Sequence, residues 1–362
     1  MNSLPQQNRF CFPDSLRGLA ALWVFGQHLW VDRHTEHLFQ LLPSGVNRVV
    51  FQFGYLGVPI FFVMSGFFMA HSLRQTQVTW RSFQSLLLKR FLRLSPAYYV
   101  SIILAIGCAA IAAHWRGALY SLPSWKDWLT HLTYLQGIFP SSVINGVYWT
   151  LCVEFQFYLV FCLLLGVAQW LKQRWEWPQA PVVVFSIAAL GSSLWPAKVL
   201  TDTFPMPGLF LPHWHSCLLG AFAYWLWQKS CPTAVFYGYV GLLGCTTIAT
   251  RSLFTGVALL TAMGLVWVGS RDRMGTTMNW PWLQFVGLTS YTLFLTHEPL
   301  LKLLFPIEHR WLGEGVAIDL VCIVVNLLLC LGLAQFLQCW VEKPSIRWSQ
   351  EIPQKLGHWI NT

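Results

Sequence analysis

Charge is what this sequence has least of. Only 10% of its 362 residues are Asp, Glu, Lys or Arg, against roughly 25% in an ordinary soluble domain. A soluble fold could not solvate its surface with so few charges. The ten cysteines contain no C-x-x-C pair, which argues against a redox dithiol or a zinc knuckle. Most of them (Cys108, Cys152, Cys162, Cys217, Cys245, Cys322 and Cys330) lie in apolar blocks, where a thiol acts as a small hydrophobe. There is no internal repeat, no low-complexity stretch and no loop long enough to fold by itself. A single domain over residues 1–362 is therefore expected, with a short segment 1–12 before the first apolar block and a tail 342–362 after the last. That first block carries Arg17 and His28 and no small-x-small site follows it closely, so a cleaved signal is not expected. No lipidation motif stands at either end. Nucleic-acid motifs are also missing, and basic residues facing anionic lipid account for the formal charge of +9.

What the chain does have is apolar length. Hydrophobic residues make up 55% of it, in blocks of roughly 17 to 25, the length a helix needs to cross the hydrocarbon core. Its 21 tryptophans gather at block ends, where indole rings favour the membrane interface. The expected fold is all-α, a polytopic integral membrane protein with about ten transmembrane helices. The spans read roughly as 15–31, 51–71, 95–115, 146–171, 180–200, 209–228, 233–249, 252–269, 282–304 and 316–341. The stretch from Leu122 to Phe139 is too polar to span and reads as interfacial. Placing both termini in the cytoplasm puts about twice as many Lys and Arg on that side, mainly through the cluster from Arg74 to Arg93.

Ionisable residues inside spans are costly and suggest function. Here they are Arg17, His28, Glu154, His215, His297 and Glu298, with Arg90 and Arg93 at the edge of the third span. Arg17 and His28 are eleven residues apart. On a helix that is about three full turns and about 16 Å of rise, so they share a face at different depths. Taken alone, the pair is open to a second reading, a snorkelling arginine and a hydrogen-bonded core histidine. Arg90 and Arg93, at i and i+3, share a face and could grip a phosphate with forked hydrogen bonds; positive-inside anchoring is the alternative. Counting from the outer face places Glu154 and His297 near the depth of His28. Two tiers are thus expected, arginines at the cytoplasmic mouth and His28, Glu154 and His297 deeper. Glu154 could pair with an arginine or orient a histidine. His213 and His215 would need further ligands to hold a metal, and none is indicated.

These residues fall in five segments that together resemble the acyltransferase-3 family of bacterial membrane O-acyltransferases over nearly the whole chain. FPDSLRGLAALWVFGQH resembles the family's first-span motif, with Asp14, Arg17 and His28 in place. GVPIFFVMSGFFMA (57–70) resembles the second-span motif, with Ser65 and Gly66. RFLRLSPAYY (90–99) is similar to the paired-arginine motif, YWTLCVEFQFYL (148–159) to the motif carrying the intramembrane Glu, and SYTLFLTHEPLL (290–301) to the late His motif. The fourth departs from the family pattern: Thr150, Cys152 and Phe155 stand where two serines and a second Glu are common. Asp14 could act mainly as a helix N-cap.

The resemblance implies transfer of an acyl group, commonly acetyl, from acyl-CoA to a hydroxyl of a carbohydrate or similar acceptor in a bacterial plasma membrane. No cofactor or metal is called for. A hydroxyl needs a base at neutral pH, and His is the side chain that titrates nearest 7. His28 is the expected base or acyl carrier, with Glu154 or His297 orienting it or shuttling the proton. Arg90 and Arg93 are expected on the donor's phosphates. Arg17 is expected on the donor or on the oxyanion at the thioester carbonyl. A transporter or flippase using the same groups as a proton relay is the alternative.

Overall fold

A computed structural model describes residues 10–200 and 208–359, with side chains described to Ile352. Among them the chain is helical throughout and forms no strand. The helices are α1 (Cys11–Val31), α2 (Glu36–Leu41), α3 (Ser44–Val46), α4 (Gly57–Leu73), α5 (Trp80–Trp115), α6 (Trp125–Leu132) and α7 (Trp149–Arg174). They continue with α8 (Ala180–Ser192), α9 (Trp214–Trp227), α10 (Thr233–Thr250), α11 (Leu253–Gly269), α12 (Pro281–Leu312), α13 (Val316–Leu337) and α14 (Lys343–Trp359).

Each expected apolar block coincides with a helix, and among the described residues five stretches are long and apolar enough to cross a membrane. These are Ser44–Leu73, Trp80–Trp115, Trp149–Arg174, Thr233–Thr250 and Val316–Ile352. Helices α1 and α12 have the length, yet they carry the polar groups of the site and pack along each other. Helix α9 has only 14 residues, and most of them are buried. Helix α5 starts at Trp80 rather than near 95, because its polar first turns are capped by Thr79 and Ser82 and continue into the apolar part. Hydropathy registers only the latter. Residues 122–139 contain the short helix α6, capped by Ser124 and Asp127. The tail after 342 begins as α14, which packs on α5; Ser345 Oγ donates to the Arg93 carbonyl at 3.2 Å.

The molecule presents apolar side chains outward, as a lipid environment requires. On α13, Leu320, Val321, Val324, Val325, Leu328 and Leu329 are exposed. Exposed Trp80, Trp125, Trp175, Trp280, Trp282 and Trp311 lie at helix ends or in connections. Of the cysteines, Cys245 is exposed, while the other six named above are buried.

Two close approaches build the centre. A Cβ on Gly66 would lie 1.7 Å from the Cys217 carbonyl oxygen, and one on Gly220 would lie 1.8 Å from that of Val63. Helices α4 and α9 therefore touch backbone to backbone. The same holds for α1 and α12, where a Cβ on Gly287 would lie 2.1 Å from the Asp14 oxygen. Small residues at helix interfaces are how membrane helices gain packing contact. The second approach fixes the two helices that carry Arg17, His28, His297 and Glu298.

Candidate active site

Two cavities lie at different levels of the bundle. The first, about 400 Å³, is basic. Arg17 of α1, Ser65 of α4, Arg90 and Arg93 of α5, Glu154 and Tyr158 of α7, and Glu342 line it among others. Its polar groups are tied together. Ser65 Oγ donates to Glu154 Oε1 at 2.5 Å, and the Tyr158 hydroxyl donates to the same carboxylate. The Arg90 guanidinium lies 4.7 Å over the Tyr158 ring and donates to Ser72 Oγ at 3.2 Å. Such a cation–π contact, with the guanidinium partly open to solvent, is worth roughly 1 kcal/mol. Glu342 sits in the field of Arg17, Arg93 and Lys343.

The second cavity, about 620 Å³, is lined by Asp32, Arg33, His34, Arg116, Glu298, Lys302 and His309, with small residues from α5 such as Ala105 and Ala109. His28 stands beside its Asp32 and Glu298 carboxylates. Its Nδ1 is 3.7 Å from Asp32 Oδ2 and 3.9 Å from Glu298 Oε2. Lys302 bonds Glu298 Oε1 and lies 3.6 Å from Asp32 Oδ1. The His297 ring meets the His28 ring edge to face, centroids 5.0 Å apart. His297 is 1% exposed. Its Nδ1 lies 3.0 Å from the Leu293 carbonyl, which can only accept, so Nδ1 carries the proton and Nε2 is left as an acceptor.

Local sequence explains this placement. Pro299 cannot donate to the carbonyl four residues back, and Asn145 Nδ2 bonds that freed Leu295 carbonyl at 3.1 Å. Asn145 thereby ties the 140s loop to α12 beside Glu298. Asp32 caps the end of α1, one turn after His28. His34, stacked on Phe305 with centroids 4.7 Å apart, has its pKa lowered to about 4, chiefly by burial.

The structure brings His28 and His297 together and groups Arg17 with Arg90 and Arg93. It separates Glu154 from the histidines. Glu154 was expected in the deeper tier with His28, but it belongs to the arginine cavity. Helix α7 begins at Trp149 behind Tyr148, which is already buried at 1% exposure, so a count from the outer face misplaces the carboxylate. The side-chain partners of the Glu154 carboxylate are Ser65 and Tyr158 rather than His28. Arg17 stands about 16 Å along α1 from His28, in the cavity of Arg90 and Arg93. His213 lies among Phe62, Trp149 and Phe254, and His215 Nε2 is 3.4 Å from Thr255 Oγ1; they join neither cavity.

Sequence reasoning missed Asp32, Lys302, Tyr158 and Glu342, and left Glu298 without a role. One signal was available. Asp32 follows His28 by four residues and Lys302 follows Glu298 by four, so each pair shares a helical face.

A family model described as an acyltransferase domain matches residues 12–335. Among curated proteins, the nodulation protein 10 of Rhizobium leguminosarum bv. viciae is 32% identical over 49% of this chain and 49% of its own length. The peptidoglycan O-acetyltransferase OatA of Listeria monocytogenes is 26% identical over 81% of this chain and 50% of its own. The acyltransferase MdmB of Streptomyces mycarofaciens is 27% identical over 56% and 51%. The chain thus spans about half the length of the curated relatives it matches. No solved structure matches it.

Proposed function

The chain belongs to the acyltransferase-3 family, and on that premise we propose that it is a membrane O-acyltransferase moving an acyl group, most simply acetyl, from acyl-CoA to a hydroxyl of a glycan-like acceptor. The observation that carries this reading is the bridging of two cavities by one helix. Helix α1 carries Arg17 in the arginine cavity and His28 beside the Asp32 and Glu298 carboxylates of the other. Arg90, Arg93 and Arg17 suit the phosphates of the donor, with forked or charge-assisted hydrogen bonds. The donor's flexible arm would reach from there toward His28.

The acceptor hydroxyl enters from the cavity lined by Asp32, Glu298 and Lys302. His28 takes its proton, the oxygen attacks the thioester carbonyl carbon, the carbon–sulfur bond breaks, and the CoA thiolate takes up a proton as it leaves. In a two-step variant His28 itself accepts the acyl group before passing it on. The relative named as a peptidoglycan O-acetyltransferase favours acetyl and a glycan acceptor. The Lys and Arg bias puts the basic cavity on the cytoplasmic side, where acyl-CoA is available. A reporter fused to the C-terminus and read out on the far side would reverse this assignment.

The test is incubation of the purified protein with labelled acetyl-CoA and candidate glycans. Label should pass to the glycan with one equivalent of free thiol released. Thiol release that never depends on acceptor, together with no labelled product from any glycan, would sink the reading.

A further inference from the structure

We propose that Asp32, Glu298 and Lys302 form the orienting half of the proton-transfer centre, fixing His28 in the tautomer that carries its proton on Nδ1. The inference rests on the reading of His28 as the reacting base. Three polar atoms converge at one point. His28 Nδ1, Asp32 Oδ2 and Glu298 Oε2 lie 3.7 and 3.9 Å apart, all are buried, and none has a hydrogen-bond partner among the described residues. A proton on Nδ1, shared between the two carboxylates, is the simplest donor that meets both oxygens. The remaining oxygen of each acid is engaged by Lys302. Each carboxylate thus gives one oxygen to the ammonium and one to the imidazole.

The charges fit that role. Two carboxylates and one ammonium leave one net negative charge beside the ring. That charge favours the imidazolium formed when Nε2 accepts a proton from the substrate, as a carboxylate behind a catalytic histidine does. With Nδ1 committed to the acids, Nε2 is the nitrogen left to take the hydroxyl proton. Since the Lys302 ammonium already supplies positive charge to both acids, the cluster reads as proton-handling rather than metal-holding. The backbone makes room for it: a Cβ on Gly146 would come within 2.9 Å of Glu298 Oε1. Glu298 follows His297 directly, so the same turn of α12 supplies the second imidazole and the second acid.

Asp32, Glu298 and Lys302 are positioning residues, and tautomer separates that role from a merely structural one. In E298Q, and more fully in D32N/E298Q, a carboxamide can turn its NH2 toward Nδ1 and move the ring proton to Nε2. Nitrogen-15 spectra of histidine-labelled protein, with His28 assigned by its loss in H28Q, should show an Nδ1–H ring in the wild type. They should show an Nε2–H ring in the double variant. Turnover in the double variant should fall by at least about 10²-fold with donor KM unchanged, and E298D should recover part of it. EDTA should leave turnover intact. An Nε2–H ring in the wild type, wild-type kcat in D32N/E298Q, or loss of activity to EDTA would overturn the proposal. The spectra need no substrate, so an Nδ1–H ring in a protein that transfers no acyl group would sink the functional reading and leave only the tautomer assignment standing.

Discussion

The two cavities differ in how completely their polar groups are satisfied. In the basic cavity Ser65, Glu154, Tyr158, Arg90 and Ser72 form a linked chain of contacts. At the His28 end, buried polar atoms of His28, Asp32, His34, His297 and Glu298 have no hydrogen-bond partner among the described residues, against one such atom in the arginine cavity, Glu342 Oε2. An unpaired buried polar atom costs about 1–3 kcal/mol, so several together at one place are an expensive arrangement for a fold to keep. The contrast teaches that the arginine end ties its Glu154 carboxylate to neighbouring side chains, while most of the unsatisfied polar atoms gather at the histidine end.

The sharpest way to break that contrast is His28→Gln. The variant keeps some hydrogen bonding but cannot take a proton at neutral pH. Turnover should fall by roughly 10²- to 10⁴-fold while CoA affinity, measured by calorimetry, stays near wild type. Near-normal transfer would move the chemistry to His297.

Arg93→Ala probes the other cavity. Donor KM should rise roughly 10- to 100-fold, the loss of a charge-assisted hydrogen bond, with kcat for saturating donor little changed. Arg93→Lys should recover only part, because the fork is gone. If both variants bind CoA as the wild type does, these arginines anchor topology and nothing more.

Glu154→Gln should raise donor KM several-fold, the scale of one hydrogen bond, by loosening Tyr158 beneath Arg90, and should leave acceptor KM alone. A selective acceptor defect in steady-state kinetics would return Glu154 to the histidine tier.

The smallest effect is on stability. Buried His34 titrates near 4, below its unfolded value of about 6.5. Between those values the unfolded chain binds the proton and the folded one does not, so stability rises with pH across about 4 to 6.5 and is level above it. The melting midpoint in detergent should drop by roughly 2 °C per pH unit on acidification through that window, and His34→Gln should flatten the slope. An unchanged slope would mean another group titrates there.

Much of this was legible in one dimension. Helix rise alone put Arg17 and His28 on one face at two levels, and the structure keeps them so. The i, i+3 pairing of Arg90 and Arg93 likewise survives as one wall of a cavity. The level of Glu154 was not legible, because it depends on where α7 starts relative to the core. The polar first turns of α5 escaped because hydropathy sees apolar length rather than helix length.

The sequence by itself determined an all-helical membrane protein, its family motifs, and the spacing of polar residues along each helix. Those follow from local quantities, the apolar run and the 1.5 Å rise per residue. Only the tertiary structure decided which depths face one another. Contact between α1 and α12 depends on a glycine that lets two backbones touch, and no periodicity within either helix encodes its partner. That packing sets Glu298 and Lys302 beside Asp32 and His28, four residues from two distant segments whose charges make sense only as a group.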